Sequence, residues 1–316
     1  MVKVPKGYRS KNVRDSRNAR GSSGSFGSRS GRGGFTSRPS RSGGQSQRGG
    51  CGLGLLIGIG LVIFFLFSLF SGNTAFDTTT DATTAGGNNA ADTNSAAGGS
   101  DSEEEEAAFT LINFVLDDLQ EEFWPAEFAE ADLVYQDATV EVFENGVDTG
   151  GCGSATSAVG PFYCPADGTA YIDIEYMFLL QDQLGAEGDF SQAYILAHEI
   201  GHHVQNLLGI NAAMRQAQSV VSQTEANGLS VDLELQADCF SGAWARSFSE
   251  RGFLDEGDLD EGVNAASSVG DDAITGSSNQ ENFTHGSSAQ RVEWFNIGFN
   301  EGTNACTTFD GQLSPG

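Results

Sequence analysis

Apolar residues are distributed along the chain in four unequal parts. Residues 1–50 scatter single hydrophobics among Gly, Ser and Arg, with no period that a helix or strand could bury. Leu53 to Phe70 is then a run of 18 uncharged, mostly apolar residues. Residues 71–106 return to Thr, Ala, Gly, Asn and Asp and end in Glu103–Glu106. Periodic hydrophobicity sets in only near residue 107. Ala107–Glu122 carries apolar residues at helical spacing, and Thr139–Phe143 and Ala170–Ile174 alternate as short strands do. Ser191–Leu208 has a period near 3.6, contains no proline and stops at Gly209. A Gln- and Ser-rich helix near Asn211–Ser222, a helix through Glu234 to about Ser249 and a last helix over Ser287–Phe299 complete the set. Helices with a small sheet predict an α+β domain over 107–316, long enough to bury one core.

The helix Ser191–Leu208 contains His198-Glu199-Ile200-Gly201-His202-His203. His198 and His202 are four apart, so both imidazoles leave one helical face with Glu199 beside them. This is the HExxH arrangement, in which two histidines hold zinc and the glutamate reaches the metal's water. The chain has only four histidines, and three fall here. His203 points off the ligand face and reads as a hydrogen-bonded, non-ligand histidine.

A catalytic zinc site needs a third protein ligand and an open position. A third histidine in the HExxHxxGxxH pattern is excluded, because Gln205 and Leu208 occupy those places. A carboxylate from a second helix remains. Glu234-Leu235-Gln236-Ala237-Asp238 puts two acids at i and i+4 on one face. Glu234 can bind the metal and Asp238 can accept the outer N–H of a ligand histidine. Such a centre takes one Zn2+ and hydrolyses peptide bonds with Glu199 as general base.

HEIGHHVQ, ELQADCFSGAWA, GPFYCPADGTAYIDI and THGSSAQRVEWFNIGF together resemble the neutral zinc metallopeptidase family, over roughly Phe123 to Phe309. The second-helix Glu-x-x-x-Asp is similar to that of the gluzincins. The resemblance implies a zincin-like domain with a small sheet and an active-site helix. It also implies His198, His202 and Glu234 as ligands, Glu199 as base, Asp238 as partner of His198, and a peptide or protein substrate. The oxyanion of the reaction needs a donor. His285, the remaining histidine, is the candidate; a structural histidine fits its surroundings equally, and Tyr194, Tyr171 and Tyr176 are weaker candidates. In zincins an edge strand before the active helix pairs with extended substrate; Ala170–Ile174 fits either that role or a core strand.

Charge and cysteines bear on location. Residues 1–50 hold 12 Lys/Arg against Asp15 alone, a net +11; the total of −27 leaves −38 for the rest. A basic block before an apolar run long enough to cross a bilayer predicts a single-pass anchor with its N-terminus cytoplasmic. The expected organisation is a disordered basic cytoplasmic tail (1–50), a transmembrane anchor (51–71), a flexible acidic linker (72–106) and an extracytoplasmic domain (107–316). A cleaved signal peptide is disfavoured by the long leader. Cys152 and Cys164 suit a short disulfide-closed loop, which leaves Cys239 for Cys306, although four cysteines allow three pairings.

The domain contains no lysine, and Arg215, Arg246, Arg251 and Arg291 are its only strong cations. Such a surface repels nucleic acid and suits high salt or ordinary export. Two other functions compete with the peptidase: a non-catalytic zinc-binding domain that tethers envelope partners, and an adaptor acting through the basic tail. The intact Glu199 speaks against the first.

Overall fold

The computed structural model describes residues 1–17, 100–184 and 188–309. The leading helix, α1 (Ser100–Asp117), runs through a π-helical turn at Asp118–Phe123 into α2 (Trp124–Glu130). β-Strands β1 (Val13–Asp15), β2 (Thr139–Phe143), β5 (Phe162–Cys164) and β6 (Thr169–Asp173) form a sheet in the order β1-β2-β6-β5. β1 and β6 both pair with β2 in parallel, and β5 closes the sheet antiparallel to β6. A separate hairpin joins β3 (Gly146–Asp148) to β4 (Ser154–Thr156). The remaining helices are α3 (Ile174–Leu184), α4 (Asp189–Leu207), α5 (Ile210–Gln218), α6 (Gln223–Glu250), α7 (Asp258–Ser268), α8 (Asp271–Thr275) and α9 (Ser288–Glu301).

One core joins these elements. Val140, Val142, Ala170 and Ile172 of the sheet pack with Ile112, Val115 and Leu116 of α1, with Phe190, Leu196, Ile200 and Val204 of α4, and with Trp244 and Phe248 of α6. Every residue of β6 is buried, as expected of an inner strand. Of the two roles open to Ala170–Ile174, the structure gives the core strand and not the edge open to an extended peptide. Among the described residues, the sheet edge next to the active helix belongs to β5.

The first 17 residues depart most from expectation. They are folded onto the domain, where a disordered tail was expected; residues 18–50 of that expected tail lie outside the described residues. β1 adds to the sheet in register Val13↔Val140 and Asp15↔Val142, and Val2 is buried in the core. Tyr8 Oη donates to Asp117 Oδ2 at 3.0 Å, and the Ser10 amide donates to Asn113 Oδ1 at 2.8 Å. Charge complementarity is the physical reason. Arg9 pairs with Glu106, and the guanidinium groups of Arg9 and Arg17 lie over the Phe109 ring at 4.9 and 4.1 Å. Lys3, Lys11 and Arg14 likewise pair with Asp255, Glu121 and Glu141 of the acidic domain. Leu53–Phe70 lies outside the described residues; among those described, no helix is long and apolar enough to cross a membrane.

Helices α6 and α9 cross with almost no space between their backbones. A Cβ on Gly242 would stand 2.0 Å from the Phe295 carbonyl oxygen, and one on Gly298 would stand 1.8 Å from that of Cys239. Only glycine permits this approach. The Cys239–Cys306 disulfide (S–S 2.04 Å) joins α6 to the chain beyond α9, while Cys152–Cys164 (2.00 Å) ties the β3–β4 region to β5. These are the two pairings that spacing suggested.

Candidate metal centre

α4 and α6 meet where Gly201 faces Ala237; a Cβ on that glycine would lie 3.2 Å from the Ala237 Cα. The close contact sets the HEIGHH face directly against the ELQAD face. His198 Nε2 lies 3.1 Å from Glu234 Oε2, and His202 Nε2 lies 3.4 Å from Glu234 Oε1. One donor atom from each of the three residues falls within 4.8 Å of the others. The sequence argument from two i, i+4 pairs therefore matches a real convergence in space.

Both imidazoles are held from behind at Nδ1. His198 Nδ1 meets Asp238 Oδ1 at 3.0 Å, the role expected of Asp238. His202 Nδ1 meets Gln205 Oε1 at 2.8 Å. Gln205 turns that oxygen toward the histidine because its amide NH2 is spent on the Leu233 carbonyl (2.7 Å) and Gln236 Oε1 (3.2 Å). An N–H at each Nδ1 leaves Nε2 as the lone-pair atom, the tautomer a metal ligand requires.

The charges are strongly coupled. Burial opposes charge on His198, but its hydrogen bonds to Asp238 and Glu234 outweigh that and push it up to about 9. His202 is also raised: burial works against it, and Glu234 outweighs burial. Burial would raise Glu234, yet the two histidines hold it well below the usual carboxylate range. Removed from water and facing one another, these donors want a cation.

Glu199 is 6% exposed, its Oε2 is buried without a hydrogen-bond partner among the described residues, and burial raises its pKa. An orphaned carboxylate oxygen costs free energy unless something polar meets it, and it stands beside three convergent donors. Two imidazoles and one carboxylate suit Zn2+ better than a hard oxygen-seeking ion. The residues present fit the metal.

His203 points away, as its spacing implies. Its Nε2–H donates to the Gln136 carbonyl at 2.7 Å and its Nδ1 accepts from Tyr163 Oη at 2.9 Å, which fastens α4 to β5. His285 lies on the loop before α9. Asp271 Oδ2 accepts the backbone N–H groups of Thr284, His285 and Gly286 at 2.7, 2.7 and 3.1 Å. Asp271 Oδ1 meets His285 Nδ1 at 3.2 Å, which leaves Nε2 outward. The loop rests on Val231 and Leu235 of α6, and the charge of His285 helps to lower Glu234. Of the weaker oxyanion candidates, Tyr194 is fully occupied beneath the site, with Oη donating to Asp238 Oδ1 at 2.5 Å. Tyr171 donates to Asp167 instead, and Tyr176 packs against Gly160.

Two functional residues had no distinctive sequence signal. Asp271 sits in an ordinary acidic segment. Arg291, on α9, is 3% exposed; its Nε and NH2 groups donate to the two oxygens of Asp238 at 2.6 and 2.8 Å. Burial would raise Asp238, and the Arg291 charge holds it low.

Two histidines one helical turn apart, a carboxylate from a second helix and a buried glutamate between them define the active-site class of HExxH metallohydrolases with a third acidic ligand. The chain belongs to the family described as “putative neutral zinc metallopeptidase”, whose model matches residues 3–309. That match includes the N-terminal segment that carries β1. The chain is 47% identical over 194 residues to “Uncharacterized protein YpfJ” of Escherichia coli K12, covering 60% of this chain and 67% of that protein. It is 44% identical over 187 residues to “Uncharacterized protein Rv2575” of Mycobacterium tuberculosis H37Rv, covering 54% and 61% respectively. No solved structure matches the chain.

Proposed function

We propose that the chain is a zinc-dependent peptidase of the membrane exterior, with His198, His202 and Glu234 as ligands of one Zn2+ and Glu199 as general base. The observation that carries this reading is the buried, unpartnered Oε2 of Glu199 beside the three convergent donors. A site built only for structure has no use for a free base next to its metal. Zinc held there supplies Lewis acidity and a water of lowered pKa.

The chain's own groups do the rest. Glu199 takes a proton from the attacking water and passes it to the leaving amine, a role to which its raised pKa is suited. His285, oriented by Asp271, donates from Nε2 to the oxygen of the attacked carbonyl. β5 offers the backbone edge on which an extended peptide can lie. Two disulfides favour an oxidising compartment, and Leu53–Phe70 supplies the contact with the membrane.

The test is Glu199→Gln in the full chain, assayed for zinc content and for cleavage of a mixed peptide library. Unchanged zinc stoichiometry with cleavage lost supports the reading. Wild-type protein that holds stoichiometric zinc and cuts nothing would leave the tethering function in its place.

A further inference from the structure

We propose that Arg291 is a positioning residue for the metal ligand His198, acting through Asp238; this rests on the zinc-site reading above. The helix that carries it, α9, contributes no donor to the ligand cluster. Its arginine nevertheless reaches under that cluster and is almost wholly buried.

The geometry is specific. Nε donates to Asp238 Oδ2 at 2.6 Å and NH2 to Asp238 Oδ1 at 2.8 Å, so the guanidinium forks across both carboxylate oxygens. Asp238 Oδ1 also receives Tyr194 Oη at 2.5 Å and faces His198 Nδ1 at 3.0 Å. The third guanidinium nitrogen, NH1, donates to the Val269 carbonyl at 3.3 Å, which fixes the fork from its far side. NH2 also lies 3.3 Å from Tyr194 Oη, 3.8 Å from Glu234 Oε2, and 3.3 and 3.4 Å from Nδ1 and Nε2 of His198; with an N–H on Nδ1 and the Nε2 lone pair turned to Glu234, neither ring nitrogen accepts from it, so its hold on the ring passes through Asp238. Asp238 is fully buried, so no water competes for its oxygens.

Without the fork, the carboxylate is free to turn about its terminal torsion. His198 Nδ1 then loses a fixed partner, and its Nε2 is no longer held opposite Glu234. A lysine cannot substitute fully, because an ammonium is a point donor that cannot match two oxygens in one plane. The reach depends on the glycine crossing: Gly242 and Gly298 bring α9 close enough for the short bonds.

The test uses full-length protein and measures zinc affinity by chelator competition, together with the visible spectrum of the cobalt-substituted site. Arg291→Met should weaken zinc binding about 10- to 100-fold and shift the cobalt bands, with Arg291→Lys between it and the wild type. Because the arginine acts through Asp238, the double variant R291M/D238N should bind zinc no more weakly than D238N alone. If Arg291→Met does not fold, Arg291→Lys against wild type and the double variant against D238N carry the same comparison. Equal zinc affinity and an unchanged cobalt spectrum in Arg291→Met would overturn the proposal. So would a double variant weaker than D238N by the full factor that Arg291→Met costs the wild type. Wild-type protein that takes up neither metal is a different result, and it would overturn the zinc-site reading itself.

Discussion

The glycine crossing of α6 and α9 makes one substitution act with opposite signs at two places on a single helix. Gly228 and Gly242 both lie within α6. A Cβ at Gly228 meets nothing within 4 Å, whereas one at Gly242 would stand 2.0 Å from the Phe295 carbonyl oxygen and 2.9 Å from its carbon. Alanine in a helix interior gains about 0.5–1 kcal/mol over glycine by stiffening the unfolded chain. Gly228→Ala should therefore raise the melting temperature by about 1–4 °C for a domain of this size. At Gly242 a carbon–oxygen contact needs about 3.3 Å, so α9 must retreat by roughly 1.3 Å. The obstruction is backbone and no rotamer change relieves it. Overpacking of this kind costs about 1–3 kcal/mol, and the short Arg291–Asp238 bonds are stretched as well. After the helix gain is subtracted, a net loss of about 1 kcal/mol lowers the melting temperature by about 2–4 °C. Paired calorimetry of the two variants, with disulfides intact, is the assay. Zinc affinity should fall with Gly242→Ala alone. A Gly242→Ala protein that melts with or above Gly228→Ala would refute the close crossing.

Three further outcomes follow from the site and its clamps. In the metal-free chain His198 is pushed from 6.5 up to about 9, because its bonds to Asp238 and Glu234 outweigh burial. Zinc must displace that proton, so affinity should keep rising between pH 6.5 and 9; a plateau at neutral pH would contradict the arrangement. Stability of the metal-free protein runs the other way. The His198 contribution is fully present below 6.5 and is lost as pH rises through about 9. Replacing both Cys239 and Cys306 by serine opens a separation of 67 residues, against 12 for Cys152 and Cys164. On chain entropy alone the losses are roughly 4 and 3 kcal/mol, so calorimetry should show the larger fall for the first pair.

Much of the centre could be read from spacing because each half is local. His198 with His202 and Glu234 with Asp238 each occupy one turn of one helix, and helical period alone places their side chains on a common face. The strand Thr139–Phe143 was equally plain, since its alternation matches its burial, with Val140 and Val142 inside and Thr139 and Glu141 partly exposed. What spacing cannot carry is a partner supplied from afar. Arg291 is one arginine on a helix that otherwise reads as amphipathic, and only the packing of α9 on α6 reveals that it is buried. Asp271 earns its place through three backbone N–H groups that no pattern announces. Gln205, met in the sequence only as the residue standing where the HExxHxxGxxH pattern has its glycine, orients His202 through an amide fixed by Leu233 and Gln236. β1 escaped because three residues are too few to show a period, and because basic residues among glycines read as solvent-seeking until their acidic partners are placed.

The docking of β1 also bears on topology. Strands that share main-chain hydrogen bonds cannot stand on opposite sides of a hydrocarbon layer about 30 Å thick. Val13–Asp15 pairs with Thr139–Phe143 in one sheet, so Arg17 and Ser100 leave the folded domain on the same side of any bilayer the chain touches. The positive-inside rule would send the basic segment to the cytoplasm, whereas here its charges are spent on Glu106, Asp15 and the Phe109 ring. Whichever compartment holds His198, His202 and Glu234 also holds the first residues of the chain.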